Sequence, residues 1–505
     1  MRGSAVLRAA LVAAVGAGAV TVATIGPQTR VILAGAPTQE AAAQTARPVP
    51  VTSRVLVCGG QALRGVDGIS DAGRPAPPPV SVLSAMAPAG LAGILPAGPG
   101  TPGLTARPLP FGSSTPTPLA PGAVPVATAV TGATALQLAA TGSAAATLTG
   151  AQRQLAAGTD SRGLAAAPCG TARADSWIVG GGGEPGRQER LVLTNPNPTA
   201  ISVDVTAYGE RGPISSPNGL GIAVGAHERR VVLLDALDNG ETAPVFRVQA
   251  SGGVVHAQLH DSWLDGIVPR GEDDTVATAG PATAQVVPGV TLRGNQDHLS
   301  VRVAVPGQVG ATVTIRSLGL PGQQVPAAAT ATIKAGGVKE VELPDASGAL
   351  GLSITSSAPV VASALVTRGD ATGGVQDFAW VPATPALTGP AGLPLQVAPP
   401  AGSAVPAGSG ARLVLSAPAA AQTATVSLVD AQGAISPQPV RVSAGSSTSV
   451  DLTGATAVWV TPGSGALYAA VVVTQASGDA ELVAALPLES RPQQETPPVV
   501  EPLHP

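Results

Sequence analysis

Ala200-Ile-Ser-Val-Asp-Val-Thr-Ala-Tyr208 places Ile201, Val203, Val205 and Ala207 on one side of an extended chain and Ser202, Asp204 and Thr206 on the other. That period of two predicts a half-buried β-strand. Working outward, Arg190-Leu-Val-Leu-Thr194 predicts a strand before it, closed by the breakers Asn195-Pro-Asn-Pro198. Arg230-Val-Val-Leu-Leu234 predicts another after it. Phe246-Arg-Val-Gln-Ala250 and residues 254–259 read as two strands joined by a tight turn at Ser251-Gly-Gly253, where glycine permits positive φ.

The series over 190–263 returns twice. Phe246, Leu352 and Val458 are evenly spaced, about a hundred residues apart, and so are Val248, Ile354 and Val460, and Val255, Val361 and Leu467. In the second copy Leu352-Ser-Ile-Thr355, the turn Ser356-Ser-Ala-Pro359 and residues 360–366 repeat the strand pair. A repeat of this length, with short strands between turn signals, has the size of an immunoglobulin-like sandwich rather than of a solenoid coil. The expected fold is therefore all-β, a string of immunoglobulin-like β-sandwich modules after an N-terminal signal or anchor helix. The repeats fall at residues 173–280, 281–387 and 388–488. Alternation puts Val203, Val205, Val248 and Val255 in the first core, Val313, Ile315, Ile354 and Val361 in the second, and Val426, Leu428, Val460 and Leu467 in the third.

Composition narrows the class. Apolar residues form 44% of the chain but aromatics only 2%, so the cores must be built from Val, Ala, Leu and Ile. A net charge of −4 with dispersed signs lacks the concentrated basic face that nucleic acid requires.

Residues 1–26 carry Arg2 and Arg8 before an apolar run at 9–25, and read as a signal peptide or a signal-anchor helix. Retention implies a single span with the N-terminus in the cytoplasm and the modules outside; cleavage, with Ala34-Gly35-Ala36 as a weak site, implies secretion. A linker at 27–50 leads to a Pro- and Ala-rich, partly β region at 51–172. It is bracketed by Cys58 and Cys169, the two cysteines of the chain, which in an exported protein predict a disulfide. Residues 489–505, acidic and proline-rich, read as a disordered tail.

The densest polar cluster is His256, Gln258 and His260 with Asp261 and Asp265. Two His at i and i+4 on a strand stand roughly 13 Å apart, too far to share a metal, so the reading is a solvated outer face. Glu272-Asp-Asp274 reads as an ordinary acidic loop without EF-hand spacing. Gly180-Gly-Gly-Gly183 lacks the Lys-Ser/Thr of a phosphate loop and reads as a flexible connection. Ser262 beside His260 and Asp261 does not make a triad, because neighbours on a strand point to opposite faces. No catalytic residue, metal ligand or cofactor follows. Trp263 and Trp380, each shortly after the last strand of a repeat, read as junction packing, with a ligand platform as the alternative.

The two cysteines flanking a variable region, Ser176-Trp177-Ile-Val before the glycines, and Leu193-Thr-Asn195-Pro196 together resemble a family of actinobacterial exported proteins of unknown function, from residue 50 to residue 480. The resemblance implies structural motifs and no site. The functional expectation is a non-enzymatic cell-envelope scaffold or adaptor for a partner protein, with cell-wall glycan binding as the alternative.

Overall fold

The computed structural model describes residues 48–73, 76–87, 91, 100–322, 329–344, 348–369, 374–395, 409–478 and 480–495. The apolar run at 9–25 and the tail beyond residue 495 lie outside them. Residues 48–495 form one compact unit.

The alternating stretch is the strand Ile201–Gly209, with Val203 and Val205 buried and Ser202 exposed. It pairs with Val245–Ser251, which pairs with Asp175–Val179; on its other edge lie Gly212–Ile214 and Ile222–Val224. A second sheet runs Arg229–Leu233, Arg187–Thr194, His256–Asp265, Val268–Val276. Between the sheets Leu191, Leu193, Val203, Val205, Phe246, Val248 and Leu259 form a core built almost wholly of aliphatic side chains. Numbered by chain order, with Gly212–Ile214 and Ile222–Val224 counted together as strand 4, one sheet is 1-6-3-4 and the other 5-2-7-8.

The same order recurs in the residues after it. In the next sandwich Ala282–Pro288 is the first strand and Val375–Pro382 the eighth; in the last, Ala391–Pro394 and Ala480–Pro487 hold those places. The region at 51–172 is a further copy, from Ser53–Cys58 to Arg162–Pro168, in sheets Ser53–Cys58, Ala135–Thr141, Gly103–Leu109, Thr117–Pro118 and Val126–Val130, Val80–Ala85, Thr149–Ala157, Arg162–Pro168. The described unit thus holds four sandwiches where the sequence displays three. The 2–5 and 3–6 pairs match the immunoglobulin sandwich, but the first and seventh strands have exchanged sheets, so that 1 pairs with 6 and 7 with 2.

The turn at Ser251-Gly-Gly253 is not a hairpin tip. Val245–Ser251 and His256–Asp265 lie in facing sheets, and Gly252, at φ 85°, turns the chain across the core. In the third sandwich one 19-residue strand, Gly351–Gly369, makes the same crossing without a turn. Its first half pairs with Ala282–Pro288 and Ala311–Leu318, its second with His298–Ala304 and Val375–Pro382. Unbroken alternation from Leu352 keeps Ile354, Val360 and Ala362 in the core, so Val361 faces outward and packs at the boundary with the second sandwich instead. The other predicted stripe residues face their own cores, Leu428 half-buried.

The modules are not a string. Each eighth strand is the free edge of its sheet, and Arg162–Pro168, Val268–Val276, Val375–Pro382 and Ala480–Pro487 pack on one another in cyclic order, the fourth returning to the first. Each boundary has its own apolar seam: Val66 with Val231, Trp177 with Trp380, Ala379 with Val483, and Leu91 with Trp459. Small residues permit the close approach at the axis. A Cβ added to Gly163 would stand 2.4 Å from the backbone nitrogen of Glu272. A two-residue pairing of Val49–Pro50 with Gln494–Glu495 joins the ends of the ring, and Arg54 Nε donates to Ala145 O at 2.6 Å beside it. Cys58 and Cys169 are disulfide-bonded inside the first core.

Candidate functional site

The polar cluster singled out in the sequence sits at the ring axis. His256, Gln258, His260 and Asp261 are carried by the seventh strand of the second sandwich, and Glu272, Asp273 and Asp274 by the eighth. Asp265, the remaining member, is exposed and paired with Arg270 at 2.9 Å, but around these seven neither a solvated face nor an acidic loop is present. All seven residues are 4% exposed or less, because the outer face of this sheet and its free edge are covered by the neighbouring sandwiches.

Toward the first sandwich, His260 Nδ1 meets Asp274 Oδ1 at 3.0 Å, and Asp274 Oδ2 accepts from Gln152 Nε2 at 2.7 Å. Gln152 Oε1 in turn accepts from Gly60 N, and Gln258 Oε1 from Gly59 N. Toward the third, Asp261 accepts from Arg187 Nε at 2.9 Å and Nη2 at 2.7 Å, from Trp380 Nε1 at 2.8 Å, and from Gly181 N at 3.2 Å. Burial opposes the Asp261 charge, but the Arg187 guanidinium outweighs it and holds the carboxyl below its usual range. Arg302, reaching across from the third sandwich, donates to Gly181 O at 2.9 Å and Pro244 O at 3.0 Å. Gly180 to Gly182 are therefore a buried contact whose backbone donates to Asp261 of its own sandwich and accepts from Arg302 of the third, not a flexible loop.

Free strand edges carry unpaired N–H groups, and here carboxylates of the preceding module receive them. Asp273 Oδ2 accepts from Trp380 N at 2.7 Å, and Asp377 Oδ2 from Val483 N at 2.8 Å. Burial raises both carboxyls well above the ordinary range, against the pull of these N–H donors. Glu189, pushed up to about 10 chiefly by burial, accepts from Gly182 N at 2.5 Å.

The arrangement binds module to module. Replacing Asp261 by Ala leaves Arg187 Nε and Nη2 buried with no carboxylate, Glu184 holding only Nη1 at 2.9 Å, and should cost about 3 kcal/mol in urea unfolding. A loss below 1 kcal/mol would mean that solvent reaches the pair.

Trp380 is 1% exposed, its indole N–H held by Asp261 and its ring under Arg302 at 4.6 Å, so no face is free for a ligand. Trp263 is half-buried and donates to Pro185 O at 3.2 Å. Trp177 and Trp459 are buried at boundaries. Ser262 accepts from Arg190 Nη1 at 3.3 Å. Gln152, Arg302 and Asp377 were not visible as members of this network; the one signal was a charge within the apolar run Asp377-Phe-Ala-Trp-Val381. Among the described residues no His, Cys, Asp and Glu group is placed to hold a metal ion, and no helix is long and apolar enough to cross a membrane.

Fold and network define an all-β protein of tandem sandwiches cross-bonded by buried charges. The chain belongs to the Family of unknown function (DUF5719), which matches residues 124–405. No curated protein matches it. Among solved structures, the "crystal structure of tetra-tandem repeat in extending region of large adhesion protein" is 14% identical over 77% of this chain and 91% of that chain, with a TM-score of 0.10, at which no common fold is implied.

Proposed function

We propose that the chain is a non-enzymatic cell-envelope scaffold or adaptor, a rigid extracytoplasmic body on which a partner protein docks. The observation that carries this reading is the placement of the chemistry-bearing side chains. Asp261, Asp273, Asp274, Asp377 and Arg302 are bonded across sandwich boundaries in the interior, where they fix the modules rather than meet a substrate. The buried disulfide supports an oxidising compartment. Attachment to the membrane through the apolar run at 9–25 is part of the proposal.

The surface offered to the partner is the turn between the seventh and eighth strands of the second sandwich. Ile267 there is 90% exposed and Val268 41%, with Trp263 and Leu264 half-buried behind them. The equivalent turn of the first sandwich is polar, Gly158-Thr-Asp-Ser161. The tip stands at the start of an eighth strand, whereas Val49–Pro50 and its partner Gln494–Glu495 lie at the end where the eighth strands finish. Glycan binding through Trp380 is not part of the proposal, since its ring is covered on both faces.

A photo-crosslinking residue at position 267 in intact cells tests this. One dominant protein adduct is expected, weakened about tenfold when Leu264 and Val268 are made Asp, as for a hot-spot contact. An adduct no stronger than that from the exposed position Ser202 would contradict it.

A further inference from the structure

At the end of the ring where the eighth strands finish, a cleft of about 600 Å³, including the solvent at its mouth, is lined by residues of the first, second and fourth sandwiches. Its walls carry Arg173, Arg491, Glu489 and His256, and its apolar side Val255 and Leu393. The charges do not balance. Glu489 is taken by Arg173 at 2.6 Å, while Arg491 donates to Cys169 O at 2.9 Å and makes no ion pair among the described residues. Arg491 is half-buried with Glu489 acting on it from the same wall, and a guanidinium drawn partly out of water gains when an anion of its own joins it.

A second observation points the same way. His256 is 4% exposed, lines the cleft, and its Nδ1 meets no hydrogen-bond partner among the described residues. Burial, together with Arg173 and Arg491, pushes its imidazole down to about 4, so at neutral pH the ring is uncharged. An unpartnered polar atom on a ring that lines the cleft, beside a cation with no ion pair of its own, is the pattern of an unfilled polar subsite.

We propose that this cleft binds a small carboxylate with an apolar body, the carboxylate against Arg491 and His256 and the body against Val255 and Leu393. An arginine–carboxylate contact supplies the strong charge-assisted bond, and the apolar wall selects against a bare inorganic anion.

Hexanoate, 1-hexanol and sulfate are the probes, titrated into the full chain while the ring protons of the five His are followed by NMR, with His256 assigned through His256→Gln. Hexanoate should move the His256 resonance saturably, with 1-hexanol and sulfate binding at least about tenfold more weakly. Arg491→Gln should weaken hexanoate about tenfold, but it also removes the bond to Cys169 O. Glu489→Gln is therefore the second variant. Removing the one carboxylate on the wall should strengthen binding about threefold, a gain that damage to the fold does not produce. A His256 resonance unmoved by hexanoate, sulfate binding as tightly as hexanoate, or a Glu489→Gln variant that binds no better would each overturn the assignment.

Discussion

Val248→Asp should lower the stability of the folded body by more than about 4 kcal/mol, whereas Thr206→Asp should stay within about 0.5 kcal/mol. Val248 is fully buried between the sheets of the second sandwich, against Phe246, Val205 and Leu191, with no donor in the surrounding core to receive a carboxylate. Thr206 lies on the other face of the neighbouring strand, half-buried and opposite Arg247, where an added carboxylate finds a cation. Urea midpoints followed by far-ultraviolet circular dichroism distinguish the two positions. Equal losses would mean that the alternation at residues 200–208 does not mark one dry and one wet face.

Removing the disulfide with Cys58→Ala and Cys169→Ala should cost about 5 kcal/mol, because the bond closes 111 residues of chain and the loop-entropy relation grows with that length. Both sulfurs sit in the first core, so two small vacated volumes add to the loss. The effect should reach beyond the first sandwich. Cys169 is followed directly by Gly170, whose backbone exchanges hydrogen bonds with Val57, and Arg491 of the closing segment donates to Cys169 O. The urea midpoint of the double variant against the parent measures it, and a fall of under 1 kcal/mol would show that the first sandwich holds its ends together without the bond.

The sandwich class was legible because strands such as Ile201–Gly209 and Ala311–Leu318 face a core on one side and a wetter surface on the other, which writes a period of two into the sequence. The first sandwich lacked that signal. Its eighth strand, Arg-Gly-Leu-Ala-Ala-Ala-Pro168, is buried along most of its length on the ring axis, so small apolar residues run together with no alternation to read. The polar cluster was misread for a related reason. Whether Asp261, Asp273 and Asp274 meet water or protein is decided by Gln152, Arg187 and Trp380, up to 122 residues away and mostly in other sandwiches. Val361 shows how local the limit is. Spacing across repeats places it with Val255 and Leu467, yet the strand that carries it crosses the core without a turn, and it faces the boundary instead.

The closing of four sandwiches on one axis is the claim on which the rest depends, and small-angle X-ray scattering of residues 48–495 addresses it without mutation. A single compact body of this length should give a radius of gyration of about 22 Å. Four domains of this size laid end to end would instead give roughly 40 Å, and a value near that would contradict the ring.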